Sequence, residues 1–305
     1  MAALTPPDTY TNFTLPDVKF AHHPASSPTV TSVVLVILNR PAARNAFTDS
    51  MADSLEAAFT LLSADPRVKC IVLTGSDQSN QYYCVGMDLA IAGSRKVNTE
   101  IPRDEYRDGG GRVTLSMHRC AKPIVAAING SAVGVGITMT LPASIRVVSN
   151  KAKVGFVFGR RGFNMEACSS FFLPRLVGTS RAMHLVTTGG VYPATSPLFG
   201  DLFSEIVEPG EVLPRALAIA EEVAENVSAV STKVNKELIY RNPGTPEEAH
   251  LLESSLFWDL IRGRDSKEGM QSFLDKRAPE FAASIDKDAP TAYPWWEEKQ
   301  TKPKL

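Results

Sequence analysis

The chain has 305 residues, 44% of them hydrophobic, with 32 basic against 33 acidic side chains and a formal charge of -1. This is ample material for a sizeable core, and no basic stripe interleaves with aromatics, so nucleic acid is excluded as an expected partner. No apolar run approaches the roughly 20 residues of a membrane span, and Cys70, Cys84, Cys120 and Cys168 show neither CxxC spacing nor histidines at ligand distance, so no membrane span, metal site or disulfide framework is expected.

Residues 1–30, with prolines at 6, 7, 16, 24 and 28, read as an irregular N-terminal arm, with an edge-strand candidate at Val18 to Phe20. Met1 to Phe20 has neither the apolar stretch of a secretory signal nor an Arg-rich transit helix. Residues 31–200 read as an α/β core. Val33 to Leu38, Cys70 to Thr74, Ile124 to Ile128 and Ile145 to Ser149 are short runs rich in Val and Ile, as buried strands are. Helical patterns at Ser50 to Ala64, Gly110 to Arg119 and Val135 to Leu141 alternate with them, and strand-helix alternation predicts a largely parallel sheet. Gly93 to Gly111 has no apolar period, ends in three glycines and reads as a mobile wall of a ligand tunnel. From Cys168 the pattern turns helical, and residues 201–285 read as a helical C-terminal region with helices from Leu213, Ser228, Pro246 and Ser266. Residues 286–305 read as a polar tail. They end in Pro303-Lys304-Leu305, close to the Ser-Lys-Leu address, so an import receptor and peroxisomal localisation are expected, with the cytoplasm as alternative.

Two turns carry the chemistry: Tyr83-Cys84-Val85-Gly86-Met87-Asp88-Leu89 and Asn129-Gly130-Ser131-Ala132-Val133-Gly134-Val135-Gly136. Each follows an apolar stretch and runs into a helical pattern, where an unpaired backbone N–H favours negative charge. Glu166 follows about thirty residues later. Two donors and one carboxylate are what forming and quenching an enolate requires.

These blocks resemble the crotonase, or enoyl-CoA hydratase/isomerase, superfamily. Leu38-Asn39-Arg40-Pro41 with Asn45-Ala46-Phe47 is similar to its opening strand and turn, and Val85 to Leu89 to its first oxyanion turn. Lys122 to Gly130 resembles the strand entering the second turn, and Glu268 to Arg277 the closing helix. The likeness spans roughly residues 30 to 280 and implies a ClpP/crotonase-like spiral of ββα units with a C-terminal helical region. It also implies a homotrimer or homohexamer acting on acyl-CoA, with coenzyme A as part of the substrate and no other cofactor.

Carried over by position, the oxyanion donors are the backbone N–H groups of Met87 and Val135. Arg44, Ala46, Val85, Gly86, Asp88, Leu89, Gly134 and Lys276 fall at substrate or CoA positions, although for Asp88 an N-cap or local ion-pair role is preferred. Hydratases of the family place two glutamates where this chain has Thr138 and Phe158. Glu166, followed by Ala167, Cys168, Ser169 and Ser170, instead resembles the single glutamate of peroxisomal-type Δ3,Δ2-enoyl-CoA isomerases. The implied reaction moves a double bond from C3 to C2 with one base, whose pKa an apolar pocket would raise. A hydratase-like or other acyl-CoA lyase and a non-catalytic acyl-CoA-binding subunit stand as alternatives. His118 and His184 lack a nucleophile partner, Cys84 reads as core, and Arg160-Arg161 as solvated.

Overall fold

The Val- and Ile-rich runs form buried strands in the computed structural model, which describes residues 5–77, 79–90 and 101–297. In chain order the strands are β1 (Val18–His23), β2 (Val33–Leu38), β3 (Cys70–Gly75), β4 (Tyr82–Cys84), β5 (Ile124–Ile128), β6 (Ser131–Val133), β7 (Ile145–Ser149), β8 (Lys153–Gly155), β9 (Val191–Pro193) and β10 (Glu205–Val207). A six-stranded sheet has the order β1-β2-β3-β5-β7-β10, parallel throughout except that β1 runs antiparallel to β2. A four-stranded sheet has the order β4-β6-β8-β9, with only β9 antiparallel.

The two sheets exchange the chain repeatedly. β3 in the large sheet is followed by β4 in the small one, β5 by β6 and β7 by β8, with helices returning the chain after β4 and β6. This is a spiral of ββα units. Every residue of β5 is buried, as expected for a parallel strand covered on both faces. The helix Asp49–Ala64 starts where Thr48 accepts from Met51 N–H at 3.0 Å, and it buries Met51, Leu55, Phe59 and Leu62 at helical spacing. It packs against the helix Gly109–Arg119.

The chain divides into two compact units, 1–221 and 222–305. This corrects the expected boundary at residue 200, because β10 belongs to the large sheet and its Glu205 pairs with Val147. The arm is also more than irregular. β1 is a six-residue edge strand, and Tyr10 is fully buried, its hydroxyl donating to Asp65 Oδ2 at 3.0 Å. In the second unit Val230, Val234 and Leu256 form a core on which Tyr293 and Trp295 pack, so the described part of the expected tail, up to residue 297, is anchored there; the Trp295 indole donates to the Arg241 carbonyl at 3.1 Å. Gly93 to Gly111 divides as well. Residues 91–100 lie outside the described residues, as does Pro303-Lys304-Leu305, whereas Gly109–Gly111 open a helix because Asp108 accepts from Gly111 N–H. No helix among the described residues is long and apolar enough to cross a membrane.

Candidate active site

The first turn is held by its neighbours on both sides. Buried Asn45 donates to the Tyr83 carbonyl at 3.0 Å and accepts from Arg40 N–H at 2.9 Å, fastening β4 to the loop after β2. Phe47 N–H donates to Gly86 O at 2.8 Å and Asp88 N–H to Phe47 O at 2.9 Å. Met87 lies between these two bonds, so alternation along an extended chain turns its own N–H away from Phe47. Gly86 adopts φ +97°, and a Cβ there would lie 2.9 Å from Val133 O.

The second turn starts at Gly134, φ +55°, which precedes the one-turn helix Val135–Thr138. Val135 is the first helical residue, so its N–H has no intrahelical partner by construction. Among the described residues neither Met87 N–H nor Val135 N–H has an acceptor. The turns abut backbone to backbone, for a Cβ on Gly136 would fall 2.2 Å from the Cys84 carbonyl oxygen.

Glu166 is aimed by strained backbone. Ala167 and Cys168 follow it at φ +53° and +51°, a left-handed pair unusual for residues with a Cβ. Ser169 stabilises the bend, its amide and hydroxyl donating to the Glu166 carbonyl at 2.9 and 2.6 Å. Ala167 N–H donates to Asp108 Oδ1 at 3.3 Å. The Thr138 hydroxyl donates to Glu166 Oε1 at 2.6 Å, and the other oxygen, Oε2, sits 2.0 Å from where a Gly110 Cβ would be. That same point is 3.1 Å from Val135 Cγ2, so the carboxylate and the second donor residue flank one bare stretch of helix. Burial pushes the Glu166 carboxyl up to about 7, the Thr138 bond opposes this, and the negative charge of Asp108 adds to it. A carboxyl titrating near neutrality can both take and return a proton.

The remaining predicted residues occupy varied places. Val85 N–H donates to Arg44 O at 3.4 Å, exposed Arg44 stacks 4.9 Å from the Tyr82 ring centroid, and buried Ala46 gives its carbonyl to Arg40. Leu89 is exposed. Asp88, placed with the substrate-binding positions, ion-pairs with Arg40 Nη1 at 3.0 Å, the local role preferred for it. Lys276 lies in the second unit, in the left-handed conformation that ends the helix Arg264–Asp275. Phe158 is buried at the start of a short 3-10 helix. Burial pushes the Cys84 thiol up to about 12, which leaves it inert as a nucleophile. Among the described residues no three His, Cys, Asp or Glu side chains converge as metal ligands. Sequence reasoning missed Asp108, Gly110 and the positive role of Thr138; only the Gly-Gly-Gly run after an Asp hinted at a capped helix packed too closely for side chains.

Comparison with known proteins agrees with this fold. The family model described as enoyl-CoA hydratase/isomerase matches residues 29–284. The enoyl-CoA hydratase AFT3-1 of Alternaria alternata is 47% identical over 255 residues, covering 83% of this chain and 84% of that protein. The (E)-benzylidenesuccinyl-CoA hydratase of Thauera aromatica is 32% identical over 251 residues, covering 82% and 95%. The crystal structure of a probable enoyl-CoA hydratase/isomerase from Mycobacterium abscessus superposes with TM-score 0.77 at 28% identity, covering 88% of this chain and all of that one.

Two outcomes are expected. Gly110→Ala puts a methyl where Glu166 Oε2 sits, and since the carboxylate can swing aside, the melting transition should move little while turnover falls about 100-fold. Unchanged turnover would show that the carboxylate need not occupy this place. The second concerns stability. With its pKa raised from 4.5 to about 7, Glu166 binds more protons in the native than in the unfolded state across that window, so it destabilises the fold as pH rises through it. Denaturant titrations should therefore show Glu166→Gln gaining on wild type between these pH values, by about 3 kcal/mol at most, and level above. A pH-independent difference would contradict the raised pKa.

Proposed function

This chain belongs to the enoyl-CoA hydratase/isomerase family and acts on an acyl-CoA thioester, and from that premise we propose that it is a Δ3,Δ2-enoyl-CoA isomerase. The observation that carries the reading is the half-buried carboxyl of Glu166, held near neutral pKa beside two turns whose N–H groups have no acceptor among the described residues, while the family resemblance puts Thr138 and Phe158 at the positions where hydratases carry glutamates. The thioester oxygen accepts from Met87 N–H and Val135 N–H. Glu166 takes a proton from C2, and the C–H electron pair moves into a dienolate whose negative charge rests on that oxygen. The same carboxyl then protonates C4, leaving the double bond between C2 and C3. Each donor is worth about 3 kcal/mol to such a transition state. Assembly into trimers or pairs of trimers and a peroxisomal address at Pro303-Lys304-Leu305 are parts of the same proposal.

A second reading, hydration of a 2-enoyl-CoA, is favoured by Asp108, whose charge reaches Glu166 and whose Oδ1 binds the amide next to it. The relatives named above as hydratases point the same way. Hydration needs one group to activate water and one to protonate C2, and Asp108 with Glu166 would supply two carboxyls.

Incubation with 3-hexenoyl-CoA should produce the conjugated thioester chromophore. The rate constant kcat/KM should rise with pH and level off above about 7, since the base works only when ionised. Glu166→Gln should keep acyl-CoA binding but lose both isomerisation and exchange of the C2 proton with solvent deuterium. Near wild-type isomerisation by that variant would remove Glu166 from the reaction. If crotonyl-CoA is hydrated instead and Asp108→Asn abolishes this, the hydratase reading replaces the first. The address is tested separately: a fluorescent protein fused ahead of Met1 should co-localise with a peroxisomal marker and become diffuse when residues 303–305 are deleted, and diffuse signal from the intact fusion refutes targeting.

A further inference from the structure

We propose that Thr138 is the positioning residue of the proton transfer: its hydroxyl anchors Glu166 Oε1 and thereby assigns Oε2 as the oxygen that carries the proton. The inference rests on the reading of Glu166 as the base and deepens it.

The hydroxyl of Thr138 has one proton and two acceptors within reach, Glu166 Oε1 at 2.6 Å and the Gly134 carbonyl four residues back at 3.3 Å. The shorter contact goes to the group that carries charge, and a bond to an ionised acceptor is the stronger one, so the proton lies toward Glu166. This uses Oε1. The carbonyl oxygen of the neutral acid still accepts the same bond, so the anchor persists when the proton arrives on the other oxygen. Oε2 faces the point left bare by Gly110, with Val135 Cγ2 beside it. Thr138 closes the one-turn helix that Val135 opens, so the second oxyanion donor and the anchor of the base ride on four consecutive residues. A shift of that turn moves donor and base together and preserves their separation, which is what a proton transfer to the carbon next to the thioester demands.

The titratable groups that face Glu166 are Asp108 from the loop before the helix Gly109–Arg119, Cys84 from β4, and Cys168 two residues downstream. With both thiols protonated and Asp108 raising the Glu166 pKa, the Thr138 bond is the interaction that favours its ionised form.

The test compares full-length wild type, Thr138→Val and Thr138→Ser by two measurements. Infrared difference spectra titrate the Glu166 carboxyl in the absence of substrate, its band assigned by disappearance in Glu166→Gln. Steady-state rates give kcat and the pH profile of kcat/KM. In Thr138→Val the titration midpoint and the kinetic limb should both move upward by about one unit, and kcat should fall about 10- to 100-fold. Thr138→Ser, which keeps the hydroxyl, should return both to near wild type. Loss of packing alone would change stability and leave the midpoint in place. An unmoved midpoint, a moved midpoint without loss of kcat, or a serine variant that behaves like valine overturns the proposal. Thr138→Ala serves the same comparison if valine unfolds the short helix. Because the titration needs no substrate, it still decides the anchoring if Glu166→Gln proves active and the assignment of the base fails.

Discussion

The site depends on two backbone turns approaching more closely than side chains allow. A Cβ on Gly130 would lie 2.4 Å from Tyr82 N, and one on Gly136 would lie 2.2 Å from Cys84 O, so β4 is pressed against the second turn along its whole length. Real Cβ contacts do not reach such distances. Parallel pairing of β4 with β6 sets the direction of this approach, and the Asn45 bond to the Tyr83 carbonyl with the Asn129 amide bonds to Gly75 O and Asp77 O keep the loop ends in step. The open N–H groups of Met87 and Val135 are consequences of this geometry: one is turned outward by the bridge to Phe47, the other is left over at a helix start.

Placing a carboxylate beside such donors raises an energetic conflict. Water is the best solvent for a carboxylate, and burial withdraws it, which is the largest influence on Glu166; the Thr138 hydroxyl restores only part of the lost stabilisation, and Asp108 works against it. The balance leaves the group near neutrality rather than fully protonated or fully ionised. Backbone strain adds to the cost of the arrangement, since two consecutive non-glycine residues at positive φ cost on the order of 1–3 kcal/mol each. Ser169 binds the carbonyl of this bend from within the segment and Asp108 accepts from its Ala167 amide from the loop before the helix Gly109–Arg119, so hydrogen bonds on both sides hold the strain.

Much of this was legible in the residues. The four Val- and Ile-rich runs are strands because a strand buried on both faces has no polar positions to interrupt it, and the two glycine turns were visible as breaks at strand ends. Other features were hidden for physical reasons. Gly109–Gly111 carries two readings, the end of a mobile wall and the start of the helical pattern Gly110 to Arg119, because glycine is a poor helix former; the helix is the outcome because Asp108 caps it, and the bare Gly110 leaves the place that Glu166 Oε2 occupies. Asp108 itself was silent, since a cap and a carboxylate neighbour look the same until two distant segments meet. Trp295 looked like part of a tail because its partners, Val230 and Leu256, come from helices whose apolar faces are interrupted by charge. Asp88 was legible in its context: the local ion-pair role preferred for it is the one that Arg40 fills.

A hydroxyl at residue 138, where the family resemblance implies a carboxylate in hydratases, changes what the turn can do. A glutamate there could activate water or deliver a proton. A threonine can do neither near neutral pH, but it can align a carboxylate that approaches from another segment, and its position one helical turn after Val135 makes that alignment rigid. Under the proposed function the proton-carrying group lies on the strained bend at Glu166, and the short helix has only the electrostatic task. Two carboxyls four residues or fewer from one oxyanion donor would repel each other and raise each other's pKa, whereas a hydroxyl and one carboxyl share a proton without that penalty. In the proposed reaction the scaffold thus separates holding negative charge on oxygen from moving a proton at carbon, and the hydrogen bond of Thr138 to Glu166 connects the two.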